Sequence, residues 1–336
     1  MKILHPALVI IINNSKMLPN DIIGQWIDKD SSKVCKLWYR VWCAKVTSIT
    51  FNGPSLDILS KFRNLSTLNF GKHIEAATGS IASLTTLKTL MRIKNNVTSE
   101  MLQPLTNMTS LSLRNDKRIT SIKSLTFITT LCLARNKNIK DYELKMLTNI
   151  TDLDISCNHL ITDDSLKYLT KLKKLELFDD KNSISDASIS CLTNLTYLDL
   201  SFYDFVTDES IKYLTKMSYL NLSCTNIITY ESLKYLTNLT ALCLYDHEVF
   251  DEYDDLRKLT NLKSLTIVGR SNINASSIKY LTNLKYLCLY EFDDIRSKHI
   301  YPLTKLKDIE LIRCHKISET DIRPKLPNLI KFSNHF

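Results

Sequence analysis

Apolar residues recur along this chain in a fixed short pattern, two residues apart and then one, best seen in Leu195-Thr-Tyr-Leu198-Asp-Leu200. The first apolar position of each such hexad falls at Val46, Leu65, Leu87, Met108, Ile128, Ile150, Leu172, Leu195, Met217, Leu239, Leu262, Leu284, Leu306 and Leu329, in steps of 19 to 23 residues. Within a hexad the side chains alternate, as a strand requires. Leu195, Leu198 and Leu200 point inward, while Tyr197, Asp199 and Ser201 point outward. Beyond the hexad an apolar residue precedes Thr207-Asp-Glu-Ser-Ile211, with the same slots at Ile161-Thr162-Asp163-Asp164 and Ile228-Thr229-Tyr230-Glu231. A hydroxyl residue accepts a bond from an orphan amide at a helix start, and the acids after it complement the helix dipole. Each repeat therefore predicts one short strand and one short helix, with Ile211 and Leu214 turned inward.

One such repeat has too little apolar surface to fold alone, so neighbours must stack into a continuous core. A period near 22 residues carrying L-x-x-L-x-L is the signature of a leucine-rich-repeat solenoid. The expected fold is α/β: a curved horseshoe of about 13 repeats over residues 46–336. Parallel strands line its concave face and short helices its convex face. Residues 1–16 are a tail whose apolar run, Leu8 to Ile12, is too short to span a bilayer.

Residues 17–45 break the repeat. Pro19 suits a first helical turn, and Ile22, Ile23, Trp26 and Ile27 share one helical face. Val34, Leu37, Trp38 and Val41 share another, which predicts a small helical bundle ahead of the solenoid. Leu18-Pro19 with Asp21-Ile22-Ile23, then Val34-Cys35-Lys36 with Trp38, resemble the two ends of the F-box. The span between them is several residues shorter than is usual in that family. With the repeats, the whole chain resembles an F-box/leucine-rich-repeat protein. That resemblance implies a substrate receptor of a Skp/cullin/F-box-type ubiquitin ligase. Leu18, Pro19, Ile22, Ile23, Val34 and Trp38 would face the Skp-type adaptor, and the repeats would hold a protein substrate. Leu-Thr-Asn-Leu-Thr at a 22-residue period also resembles bacterial internalins, which would make the chain a secreted binding protein. A plain interaction solenoid is the third reading.

Composition narrows the chemistry. Only 5 glycines are present, too few for phosphate-cradling loops, and no nucleotide, zinc-protease or serine-hydrolase motif occurs. No catalytic residue, metal or cofactor is expected, and Asp-Asp pairs such as Asp163-Asp164 read as helix starts. The net charge of +9 sits in part at one repeat position, Lys145, Lys167, Lys212, Lys234 and Lys279, read as a solvated helical face. Neither nucleic acid nor membrane is expected as a partner, and the chain outside its complex should be a monomer. Nine cysteines, an odd number with no C-x-x-C pair, point to reduced thiols in the cytoplasm or nucleus. The expected binding surface is the concave wall, where outward positions carry Asp154, Glu176, Phe178, Tyr197, Asp199, Tyr219, Tyr245, Tyr286 and Tyr290. Aromatic side chains give contact area at low entropy cost, and acids favour a basic partner.

Overall fold

The computed structural model describes residues 43–51, 55–71, 79–93, 97–178, 183–225, 227–245, 256–269, 273–292 and 294–335. The six residues matched to the F-box lie outside them. The chain divides into two units, one ending at Ile150 and one beginning at Thr151.

The first unit carries β1 (Ser48–Phe51), β2 (Thr67–Phe70), β3 (Thr89–Met91), β4 (Ser110–Ser112) and β5 (Thr130–Cys132). They pair in parallel in chain order. Their central residues, Ile49, Leu68, Leu90, Leu111 and Leu131, stand in register and are almost wholly buried. Phe51 and Phe70 fill the next inward layer edge to face, with centroids 6.1 Å apart.

The second unit repeats the plan with β6 (Asp152–Asp154), β7 (Lys174–Glu176), β8 (Tyr197–Asp199), β9 (Tyr219–Asn221), β10 (Ala241–Tyr245), β11 (Ser264–Val268), β12 (Tyr286–Tyr290), β13 (Asp308–Ile312) and β14 (Lys331–His335). Every neighbouring pair is parallel. Leu175, Leu198, Leu220, Leu242, Leu265 and Leu287 form one in-register row, none more than 2% exposed. A second inward row runs through Leu200, Leu222, Leu244, Ile267, Leu289 and Leu311. In β14 its place is taken by Asn334, which pairs in register with Leu311. The β14 coil thus places an amide where its neighbours place an apolar side chain.

Each strand ends where the chain must turn toward the helix side. Arg135, Cys157, Phe202, Cys224, Glu291 and Arg313 do this with positive φ between 53° and 59°, although none is glycine. The left-handed conformation costs about 1 kcal/mol at such a residue. It lets the amide reach the next coil: Cys157 N–H donates to Phe178 O at 2.8 Å and Phe202 N–H to Ser223 O at 2.9 Å.

The helices are single turns, such as Asp163–Leu166, Asp186–Ile189 and Asp208–Ile211. Thr162, Ser185, Thr207 and Thr229 cap them by accepting from the amide two residues on. The aspartate after the cap has a larger task. Asp186 accepts from the Thr207 amide at 2.9 Å, from the Thr207 hydroxyl at 2.6 Å and from the Ser210 hydroxyl of the next coil. Asp163 does the same for Ser185 and Ser188, and Asp208 for the amide and hydroxyl of Thr229. Carboxylates therefore staple coil to coil through serines that are fully buried. In the first unit Glu143 works in the opposite direction, accepting from the Ser121 hydroxyl and the Ile122 and Lys123 amides of the preceding coil.

Tyr203 occupies the post-strand slot that Asn136 and Asn158 fill in their coils. Its ring is fully buried, and its hydroxyl donates to Ile184 O at 2.6 Å while accepting from Ile184 N–H at 2.9 Å. Asn136 uses its own side chain similarly, accepting from the amides of Asn138 and Ile139. A larger phenol thus satisfies the backbone of the neighbouring coil instead of its own.

Candidate functional site on the strand face

Residues on either side of each buried strand centre form two outward rows in the second unit. One runs Asp152, Lys174, Tyr197, Tyr219, Ala241, Ser264, Tyr286 and Asp308 in register. The other runs Asp154, Glu176, Asp199, Asn221, Cys243, Thr266, Cys288 and Glu310. Parallel strands lie about 4.8 Å apart, close to the stacking distance of aromatic rings, so like residues in one row must stack.

Tyr197 and Tyr219 do so, with centroids 4.2 Å apart and planes 3° from parallel. The Lys174 ammonium lies 4.6 Å from the Tyr197 centroid and pairs with Glu176 at 2.8 Å. The result is a column of ammonium, phenol and phenol. The Glu176 hydrogen bond raises the Lys174 pKa. Burial raises both phenols, and for Tyr219 the adjacent Tyr197 adds to it. Both hydroxyls consequently stay protonated and able to donate.

Beside the column the polar row is fixed by its own bonds. Asp199 accepts from the Ser201 amide at 2.9 Å and from the Asn221 side chain at 3.3 Å. Asn221 in turn accepts from the Ser223 hydroxyl at 2.6 Å. At the strand exits Phe178 and Phe202 meet edge to face at 5.2 Å while remaining 42% and 48% exposed. An exposed aromatic pair held by its own contact loses little freedom when a partner covers it.

Tyr245 is exposed at the end of β10, in register with Val268 and then Tyr290. Tyr290 lies 5.5 Å from the Arg313 guanidinium, which pairs with Glu291. Tyr286 donates to Glu310 at 3.3 Å, and its pKa is raised chiefly by burial. The expected residues thus fall into two groups, one around the Tyr197–Tyr219 stack and one around Tyr286 and Tyr290. Lys174, Asn221, Glu310 and Arg313 join them without having been singled out from the sequence. Lys174 occupies the same hexad slot as Tyr197, and alignment of the hexads alone would have found it.

Among the described residues no group of three or more His, Cys, Asp or Glu side chains is placed to hold a metal ion. No disulfide joins any two of the eight cysteines among them. Burial raises the thiol pKa of Cys243 and Cys288 on this face. Both are thereby poor nucleophiles. No helix among the described residues is long and apolar enough to cross a membrane.

No protein-family model matches the chain, and no curated protein matches it. Solved structures do. An internalin, InlF from Listeria monocytogenes, superimposes with a TM-score of 0.58 at 22% identity, over 95% of this chain and 93% of that one. A leucine-rich-repeat protein of Leptospira interrogans gives 0.58 at 22% identity, over 82% and 79%. TLR13, in a complex with ssRNA13, gives 0.53 at 19% identity, over 80% of this chain and 49% of that one. Such identities establish architecture and nothing narrower. Taken with the parallel in-register strands inside each unit, they show that this chain has the leucine-rich-repeat fold.

Proposed function

We propose that this protein is a non-catalytic scaffold that captures another protein on the strand face of residues 151–336. The observation that carries the reading is the Lys174–Tyr197–Tyr219 column, flanked by Glu176 and Asp199. Stacked phenols are held rigid before binding, and interface hot spots favour such anchors. The carboxylates of Asp154, Glu176, Asp199 and Glu310 favour a partner presenting Lys or Arg beside apolar surface. Internalins share the fold, which supports a binding scaffold without any ligase component.

Tyr197→Ala combined with Tyr219→Ala should weaken capture of the natural partner by about 100-fold or more, since anchors of this kind are worth about 2 kcal/mol each. Partner recovered from cell extract and titrated against both chains provides the measurement. Equal affinities, with unchanged circular dichroism, would remove the strand face from consideration.

A narrower role as ubiquitin-ligase substrate receptor is supported by the sequence match of Leu18, Pro19, Ile22, Ile23, Val34 and Trp38 to the F-box. The full chain should then pull down a Skp-type adaptor, and Leu18→Ala/Pro19→Ala should not. Failure of the unaltered chain to bind leaves the scaffold alone. An odd number of cysteines with no C-x-x-C pair supports residence in a reducing compartment of the cell.

A further inference from the structure

The sequence places one row of lysines on the helical side, but the fold brings a second row beside it. In every coil of the second unit the chain leaves its helix, turns, and enters the next strand on the same flank. These passages, each ending where its strand begins, are residues 167–173, 190–196, 212–218, 234–240, 257–263, 279–285, 301–307 and 323–330. Together they hold 15 Lys and Arg and no Asp or Glu. The helix-starting acids Asp164, Glu209 and Glu231 lie one turn before the passages, within reach of their first lysines.

The turns are locked into one ridge. Asn194, Asn238, Asn261, Asn283 and Asn328 each donate to the carbonyl of a threonine one coil back, at 2.8 to 3.0 Å. Lys216 and Lys305 in turn donate to Asn194 and Asn283 of the preceding coils at 2.6 and 2.7 Å. The passages are thus spaced by the coils themselves, about 4.8 Å per step, so the eight span roughly 34 Å, and each but 190–196 carries at least one Lys or Arg.

Aromatic rings stand in the same passages. Tyr168, Tyr213, Tyr235 and Tyr280 are 42% to 57% exposed. Each has the ammonium of the lysine before it 5.0 to 5.5 Å from its ring centroid. Lysines Lys167, Lys212 and Lys234 are also paired to acids three residues earlier, which weakens them as anion ligands. Lys173, Lys263, Lys285 and Lys307 are exposed on the strand side of the turns, in passages that hold no Asp or Glu.

We propose that this flank binds single-stranded nucleic acid, with phosphates along the strand-entry lysines and bases against the Lys–Tyr rows. An extended strand offers a charge and a π-face at every residue, which is what a ridge of alternating lysines and tyrosines can meet. The recognition is of backbone and stacking surface, not of sequence, because lysine acts as a point charge without the bidentate geometry that reads bases. This surface is separate from the strand face, and its test does not depend on capture there.

A fluorescein-labelled oligouridylate titrated against the full chain should bind at 50 mM salt and weaken on the order of 10²–10³-fold by 200 mM, as release of counterions from about six phosphates requires. Lys263→Glu/Lys285→Glu/Lys307→Glu should abolish binding, and the milder Lys→Gln set should flatten the logarithmic salt slope by about 2. Tyr213→Ala/Tyr235→Ala should weaken binding at least roughly 5-fold while leaving the salt slope in place, the expected signature of lost stacking. All three changes lie on exposed side chains, and unchanged melting would confirm that the fold is kept. Absence of binding at 50 mM salt overturns the proposal, as does full affinity in the triple lysine variant. Binding to heparin or to phosphatidylserine vesicles without binding to oligouridylate overturns it too, and so does indifference to the tyrosine changes.

Discussion

Asp186→Ala should cost the protein about 3–4 kcal/mol, more than a surface carboxylate ordinarily contributes. Three donors converge on this side chain from the next coil: the Thr207 amide, the Thr207 hydroxyl and the hydroxyl of Ser210. Ser210 is fully buried, so when the carboxylate is gone its donor cannot turn to water and keeps only a long bond, 3.4 Å, to the Thr207 carbonyl. A buried donor left alone costs about 1–3 kcal/mol, and bonds to a charged acceptor are among the stronger ones. Urea unfolding measures the loss. The double variant Asp186→Ala/Ser210→Ala should recover about 1 kcal/mol, because it removes the stranded hydroxyl together with its acceptor. A loss under about 1 kcal/mol for Asp186→Ala would mean that the staple is an incidental contact.

The second large effect belongs to the leucine row. Leu198→Ala should lose about 3–5 kcal/mol, since a fully buried leucine takes its transfer energy with it and leaves a cavity. Leu198 sits between Leu175 and Leu220 in register, and both are also fully buried. In a stacked array each coil touches only its neighbours, so the damage should stay local. Hydrogen exchange should accelerate in β7, β8 and β9 while β11 to β13 keep their protection. Uniform acceleration from β6 to β14 would show that this unit unfolds as one cooperative body, and a cost under about 1.5 kcal/mol would show that the row is loosely packed.

Those leucines were legible in the sequence because their spacing has no other economical explanation. Leu198, Leu220 and Leu242 stand where the hexads put them, in one buried row. The aspartates were not. Asp163 reads as a helix start, and Asp186 gives no further sign, because an acid after a capping residue is favourable for a reason confined to its own helix. Their bonds to Ser185 and Thr207 depend on how one coil sits over the next, which spacing along the chain does not reveal. A signal was nonetheless present: Ser165, Ser188, Ser210 and Ser232 recur two residues after the first helical residue, and a small hydroxyl at an inward position needs an acceptor.

Tyr203 shows a related limit. The sequence marks it as a departure from asparagine, and its reach to Ile184 becomes visible only once the coils are stacked. On the strand face, tyrosine suits an exposed strand position whatever its task. Tyr197 and Tyr219 were therefore predictable as outward residues, whereas their stacking and the Lys174 above them required the register.

The staples have a polarity that bears on how such a chain grows. From Asp163 through Asp186 to Asp208, each coil offers an acceptor forward and presents its donors backward. A copied segment inserted between two such coils would meet a waiting hydroxyl on one side and a waiting carboxylate on the other. Length can then drift by duplication or loss inside this stretch without orphaning a polar group, and selection on the ends of the array is separated from selection on its middle.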